Sequence, residues 1–130
     1  MYVWPAMRYR EQEKGSIAVF LIPAAKLNHR GLGDCTLEQR LHQFLLAHFG
    51  GYTTPATRLC GYWLSPAGES LYGEHREYRV FLNGGKATLA LKSFLAEIAS
   101  QIEEQCICFA DGRRSYFIFP HSPDIDPYEK

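Results

Sequence analysis

Two strand-like segments joined by a tight turn lie between two helical patterns, and this order restricts the fold more than any other feature. The first segment covers residues 58–64 and the second covers residues 71–82. In the turn between them, Pro66 fixes φ and Gly68 tolerates a positive φ. We expect the two segments to be strands of one antiparallel sheet.

An apolar run and a capped helix precede this pair of strands. Both alternating sets of residues 16–23 are apolar, which indicates a central strand buried on two faces. Thr36 and Gln39 have the spacing of a capping box, so they predict the start of a helix. Gly50 predicts its end, because glycine adopts the left-handed conformation at little cost.

A second helix and a hairpin follow the pair. The helix is predicted to follow the break at residues 83–85, with apolar residues recurring at helical spacing from Ala87 to Ile102. Residues 106–110 and 114–119 read as two strands joined by a turn at Asp111-Gly112, a strong two-residue hairpin signal.

The order β-α-β-β-α-β plus one hairpin strand predicts an α+β protein. It is typical of a ferredoxin-like βαββαβ sandwich, here with an extra C-terminal hairpin strand and with two helices on one face of an antiparallel sheet. We expect an N-terminal arm at residues 1–15, a single domain at 16–119 and an irregular tail at 120–130. The residues predicted to be largely buried are Val19, Leu21, Leu41, Phe44, Phe94, Leu95 and Ile98.

The charge balance argues against a general nucleic-acid binder. The chain has 14 Lys and Arg against 14 Asp and Glu, so its formal net charge is zero. The basic-aromatic motif of RNA-binding sheets is also absent. Since no apolar run is long enough to span a bilayer and the N-terminus lacks the apolar centre of a secretory signal, we expect a cytoplasmic protein without membrane contact.

The densest cluster of ionisable residues lies on the third predicted strand. Alternation sends Glu74, Arg76 and Tyr78 to one face of the sheet and His75, Glu77 and Arg79 to the other. His75 with Glu77 could form a base and its orienting carboxylate if packing brings them together. The same charges are also typical of a solvated strand with cross-strand ion pairs.

Candidate site residues come from this strand and its neighbour. The candidates for acid–base catalysis are His75, Glu74 and Glu77. The candidates for ligand binding are two cations for an anionic group and three aromatic walls, namely Arg76, Arg79, Tyr62, Tyr78 and Trp63.

The cysteines and histidines do not have the spacing of a metal site. Cys106 and Cys108 point to the same side of one strand, but the usual spaced cysteine pairs are absent. His42 and His48 are six residues apart on a helix, not four. We therefore expect no metal, no cofactor and four free thiols, as a reducing compartment favours.

A family resemblance rests on residues of the turns and strands. The pattern Phe49-Gly-Gly-Tyr-Thr53, then Gly61-Tyr-Trp63, Gly68, Glu74 and Val80, resembles a family of small uncharacterised bacterial α+β proteins. The resemblance extends over residues 37–118. It implies the fold and a bacterial source, and it provides no catalytic residue.

Two functional hypotheses follow. If the helices cover only one face of the sheet, the second face needs a cover, since monomers rarely expose a large apolar patch. The first hypothesis is a non-enzymatic interaction or ligand-binding module that self-associates through its sheet as a homodimer. The alternative is a small enzyme with a sheet-surface pocket, with His75 or Glu74 as acid–base and Arg76 or Arg79 as anion binders for a small-molecule ligand.

Overall fold

A computed structural model describes residues 8–31 and 33–120. The strands are β1 (Ile17–Pro23), β2 (Leu59–Leu64), β3 (Ser70–Phe81), β4 (Ile107–Ala110) and β5 (Ser115–Ile118), and the helices are α1 (Leu37–Phe49) and α2 (Gly85–Gln101), with a single 3-10 turn at Ala24–Lys26. The strands form one antiparallel sheet in the order β2-β3-β1-β4-β5. The prediction of an α+β protein with two helices and an antiparallel sheet is confirmed.

The signals at the ends of α1 act as predicted. The Thr36 hydroxyl accepts a hydrogen bond from the backbone N–H of Gln39, and the Gln39 side chain accepts one from the backbone N–H of Thr36. Gly50 ends the helix with a φ of 75°, in the left-handed region where a side chain would be strained. This reciprocal cap satisfies two backbone donors that the first helical turn leaves without partners.

Both helices pack on the same face of the sheet and form one core. The β1 residues Ala18, Phe20 and Ile22 are fully buried on this face. Between the helices, the rings of Phe44 and Phe94 stack with centroids 3.8 Å apart. The core prediction is confirmed for Leu41, Phe94, Leu95 and Ile98, while Phe44 is half-buried beside the core.

The opposite face of β1 differs from the prediction. Val19 and Leu21 were predicted to be buried, yet both are only half-buried. They point away from the helices, and within the described residues no element packs over them as a layer. The two faces of β1 are therefore apolar for different reasons. One face packs against the helices, and the other forms the floor of a cavity.

The chain ends lie largely outside the described residues. Of the predicted arm, residues 8–15 have no regular secondary structure and residues 1–7 are not described. Of the predicted tail, only Pro120 is described. No helix in the described residues is long and apolar enough to cross a membrane.

Candidate functional site on the open face of the sheet

The face of the sheet that carries no helix, here called the open face, is arranged in cross-strand rows. Strand register places Glu77 opposite Leu21 and Arg79 opposite Val19. One row further along, Pro23 lies opposite His75. The rows continue across β4 and β5 through the pairs Ala110–Ser115 and Cys108–Phe117. Side chains from four strands thus converge on one surface.

A cavity of about 450 Å³ lies in the middle of this face, and we call it the Glu77 cavity. Its walls are mainly apolar side chains of β1, β4 and β5, with Leu59 at the start of β2. The lining residues are Val19, Leu21, Leu59, Glu77, Cys108, Phe109, Ala110, Ser115, Tyr116 and Phe117. Its size and its few polar groups are typical of a pocket for one small organic molecule.

Glu77 is the one charged side chain that is buried within residues 8–31 and 33–120. Its Oε1 accepts a 2.6 Å hydrogen bond from Nε of Arg79. Its backbone carbonyl accepts a 2.7 Å hydrogen bond from the Thr54 hydroxyl, which fixes this part of β3 against the segment that follows α1. A carboxylate is costly to bury unless a cation or hydrogen bonds compensate its charge, and Arg79 provides this compensation here.

Arg79 lies half-exposed next to Glu77 and is not itself part of the wall of the Glu77 cavity. Only its Nε bonds to Glu77, and the described part of the chain provides no acceptor for its two terminal nitrogens. Hydrogen bonding and charge from Glu77 raise the pKa of the guanidinium, so Arg79 remains a cation. It therefore presents two donors to whatever occupies the face beside it.

A second cavity, of about 430 Å³, lies on the other side of Arg79, and we call it the Arg79 cavity. It is formed by the C-terminal end of α1, the segment that follows it, and the adjoining ends of β1 and β3. Its lining residues are Ile17, Phe49, Gly50, Gly51, Tyr52, Thr53, Arg79, Val80 and Phe81. The bonded pair Glu77–Arg79 thus stands between two cavities.

His75 lies in the next row, against Trp63. The two rings are 5.6 Å apart in an edge-to-face arrangement. Partial burial lowers the pKa of His75, and the charge of Glu104 opposes this shift. The predicted pair of His75 with Glu77 does not form, because the Glu77 carboxylate bonds to Arg79 instead.

The other face of β3 holds the remaining candidates, so they do not join this site. Arg76 is paired with Glu38 of α1 at 2.7 Å, and Glu74 lies 3.5 Å from Arg58. Alternation, as predicted, thus separates Glu74 from His75 and excludes them as an acid–base pair. Tyr78 is a core residue, 1% exposed and stacked on Phe20, and therefore not a ligand wall.

The aromatic candidates on β2 divide between the two faces. Tyr62 is exposed on the same side as Tyr72, and the two rings are tilted against each other. Trp63 is on the open face, where it covers Gly73 and contacts His75. Of the predicted ligand-binding residues, Arg79 and Trp63 lie on the open face. Arg76, Tyr62 and Tyr78 do not.

Sequence reasoning missed most of the cavity wall. Phe117, Ser115, Cys108 and Leu59 come from three strands, and none carries a motif. Alternation along β4 and β5 could have assigned Cys108 and Phe117 to one face, but which β1 side chains they meet depends on the register of the strands. Partial burial and the neighbouring Cys106 thiol raise the pKa of Cys108. Cys108 is therefore a weak nucleophile, because the thiolate is the reactive form.

The cysteines are all unpaired, as expected. Within residues 8–31 and 33–120, no three His, Cys, Asp or Glu side chains are grouped so that they could hold a metal ion.

Comparison with known proteins identifies similar folds. No family model and no curated protein matches the chain. Among solved structures, a phage SAM lyase in complex with S-methyl-5′-thioadenosine is similar, with a TM-score of 0.52 and 13% sequence identity over 88% of this chain and 96% of that one. A phage SAM lyase in the apo state has a TM-score of 0.50 at 12% identity, over 91% of this chain and 100% of that one.

This likeness corrects the first functional hypothesis. A non-enzymatic, self-associating module was predicted because the second sheet face needed a cover. The similar solved structures are instead those of an enzyme, one of them with a bound nucleoside, and the open face of this chain holds cavities. The hypothesis of a non-enzymatic module is therefore not retained. Formation of a homodimer stays a prediction.

Proposed function

We propose that the chain is a small lyase that binds S-adenosylmethionine in the Glu77 cavity and releases S-methyl-5′-thioadenosine. The observation that carries the proposal is a buried carboxylate in an apolar cavity, on the open face of a fold similar to that of a SAM lyase. The cavity volume falls in the range of sites for small ligands, about 300–1,000 Å³.

We propose, further, that the fold is the ferredoxin-like arrangement. The support is the strand order, in which β3 lies between β1 and β2 while β1 lies between β3 and β4. The unit β1-α1-β2 thus has β3 between its two strands, and the unit β3-α2-β4 has β1 between its two strands, as in a split βαβ. β5 then adds to the edge beside β4.

The nucleoside has an apolar part and a polar part, and the cavity matches both. Leu21 and Phe117 provide apolar surface for a purine ring, and stacking on aromatic rings is a common mode of base binding. The Glu77 carboxylate is an acceptor beside Arg79, so it can take hydrogen bonds from ribose hydroxyls, as acidic residues do in other nucleotide sites.

Release of the thioether requires cleavage of the bond between sulfur and Cγ of the amino-acid chain. The electron pair of that bond stays on sulfur, which loses its positive charge. The substrate's own carboxylate oxygen can bond to Cγ, so that the chain leaves as a five-membered lactone and no water or external proton acceptor is consumed. The cavity suits this route because the bases among its described lining residues are the Arg79-bonded Glu77 and the weak thiol Cys108.

Mass spectrometry of the products tests the reaction. The purified chain incubated with S-adenosylmethionine should produce S-methyl-5′-thioadenosine and the lactone faster than a protein-free control. Glu77→Gln should lower the rate at least tenfold by weakening the ribose contacts, an expectation based on about 1.5–3 kcal/mol for a hydrogen bond to a charged group. Glu74→Gln is the matched control, since it removes a carboxylate from the opposite face of β3. No turnover and no binding of either compound by the wild type would refute the proposal.

A binding cycle tests the ribose contact by itself. Wild type should bind adenosine more tightly than 2′-deoxyadenosine, and Glu77→Gln should largely remove this difference. Isothermal titration calorimetry of both proteins with both ligands measures the coupling between the Glu77 carboxylate and the ribose 2′-hydroxyl. Equal discrimination by both proteins would place the ribose elsewhere.

The acid–base role of His75 also remains a proposal. His75 lies one cross-strand row from Glu77, and burial lowers its pKa, which favours a neutral imidazole that can accept a proton. Because the proposed lactone route needs no proton acceptor, His75→Gln should leave turnover unchanged. A large loss of turnover would instead favour a different route, in which His75 removes a proton from the amino-acid chain as the thioether leaves.

A further inference from the structure

We propose that the Arg79 cavity holds the α-amino acid end of the substrate, with Arg79 binding its carboxylate; this inference rests on the proposed function. The ligand class is a nucleoside that carries an α-amino acid, and each of the two cavities binds one of these two parts. The nucleoside lies in the Glu77 cavity, and the amino-acid chain passes the Glu77–Arg79 pair.

The first support is the orientation of Arg79. Nε of Arg79 donates to Glu77 at 2.6 Å, so the side chain that lines the Arg79 cavity is bonded to the one that lines the Glu77 cavity. The two terminal nitrogens have no acceptor within the described residues. A guanidinium presents such donors in a planar fork that matches a carboxylate. The pair thus makes Glu77 the acceptor for one end of the ligand and Arg79 the donor for the other.

The second support is the charge at the opposite wall of the Arg79 cavity. Phe49 and Gly50, where α1 ends, line this cavity. The carbonyls of His48 and Phe49 accept no hydrogen bond from a described residue. The C-terminal end of a helix carries partial negative charge and favours a cation. A cationic side chain and a negative helix end therefore face one cavity, which suits a zwitterionic α-amino acid.

The third support is the absence of bulk along the route. Gly50 and Gly51 both line the Arg79 cavity, and a Cβ atom added at either position would meet nothing within 4 Å. Ile17 and Phe81 form its apolar rim on β1 and β3. The cavity therefore has room for the short aliphatic chain between sulfur and the amino acid.

Calorimetry with two ligands separates this inference from the proposed function. S-methyl-5′-thioadenosine lacks the amino acid, whereas S-adenosylhomocysteine carries it. Arg79→Gln should weaken binding of S-adenosylhomocysteine about tenfold or more and change binding of S-methyl-5′-thioadenosine less than about threefold, on the strength of charge-assisted hydrogen bonds. Arg79→Lys should lie between, because it keeps the charge and loses the fork. Arg58→Gln, on the opposite face, is the control and should change neither affinity.

A second variant protects the test against damage to the Glu77 pair. Ile17→Trp fills the Arg79 cavity from an exposed position and leaves Arg79 intact. It should also weaken S-adenosylhomocysteine selectively. Unchanged binding of this ligand in both variants, or an equal loss for both ligands, would overturn the inference while the proposed function stands. Failure of the wild type to bind S-methyl-5′-thioadenosine would overturn the proposed function and this inference with it.

Discussion

The Nε of Arg79 donates a 2.6 Å hydrogen bond to Oε1 of Glu77, two residues earlier on the same face of β3. The two side chains differ in exposure, since the Glu77 side chain is 12% exposed and the Arg79 side chain 51%. The carboxylate is thus the inner member of the pair, beneath a cation that solvent and ligands can reach. This asymmetry makes Glu77 part of one cavity and Arg79 part of the next.

Ligand protection of Cys108 is the first prediction. Cys108 lines the Glu77 cavity, whereas Cys60 lies on the other face beside Tyr72. With the proposed nucleoside bound, S-methyl-5′-thioadenosine should slow alkylation of Cys108 by iodoacetamide and leave the rate at Cys60 unchanged. Peptide mass spectrometry at several time points measures both rates in one sample. Equal rates at Cys108 with and without the ligand would contradict occupancy of this cavity.

Phe94→Ala should lower the free energy of unfolding by about 3–5 kcal/mol. Phe94 is 8% exposed, and its ring stacks on Phe44 between the two helices, so truncation leaves a cavity in the core. Phe117→Ala is the control because that ring is 65% exposed, and its cost should stay below about 1 kcal/mol. Urea unfolding of both variants provides the comparison. A loss below about 1 kcal/mol for Phe94→Ala would mean that α2 does not pack by this face.

Gly73→Ala and Gly61→Ala should have different effects on thermal stability, although the two glycines are paired across β2 and β3. A Cβ at Gly73 would lie 2.4 Å from the Trp63 ring, whereas one at Gly61 would make an ordinary 3.5 Å contact with it. Overpacking costs about 1–3 kcal/mol, which exceeds the gain of about 0.4–1 kcal/mol from a stiffer unfolded chain. Thermal unfolding should therefore show a lower Tm for Gly73→Ala and an equal or higher Tm for Gly61→Ala.

Gly73→Ala should also raise the pKa of His75 towards its usual value. Burial lowers this pKa, and Trp63 is the ring against which His75 packs. When the added methyl group displaces Trp63, water reaches the imidazole and the charged form is better solvated. NMR titration of the His75 ring protons measures the change, with Gly61→Ala as the reference.

Stability should fall as the pH drops below about 6.5, the pKa of an unperturbed histidine. The folded-state pKa of His75 is lower than its unfolded value, so the unfolded chain takes up the proton first. The contribution of His75 to the free energy of unfolding is therefore fully present above about pH 6.5, and it decreases as the pH falls towards the pKa of His75 in the folded protein. His75→Gln should have a smaller slope of unfolding free energy against pH in this range than the wild type. An unchanged slope in His75→Gln would contradict the burial of this ring.

Most of the secondary structure followed from the sequence, because its signals are local. Thr36 and Gln39 form their cap within one helical turn, and Asp111 accepts hydrogen bonds from the backbone of Arg113 and Arg114 in the predicted hairpin. Alternation along β3 placed Glu74 and His75 on opposite faces as predicted. Such contacts involve residues within a few positions of each other, so the pattern alone determines them.

The site required the tertiary structure. Whether Glu77 would bond to His75 or Arg79 could not follow from alternation, since all three side chains share one face and only packing decides the partner. The predicted βαββαβ arrangement implied that β1 lies between β3 and β4, but the register of these strands, which decides the side chains that meet in the wall of the Glu77 cavity, has no local signal. Sequence patterning thus determined which residues form strands and which face each one occupies. Only the packing of the sheet against its helices decided which rows meet, and so which charges and apolar groups share a cavity.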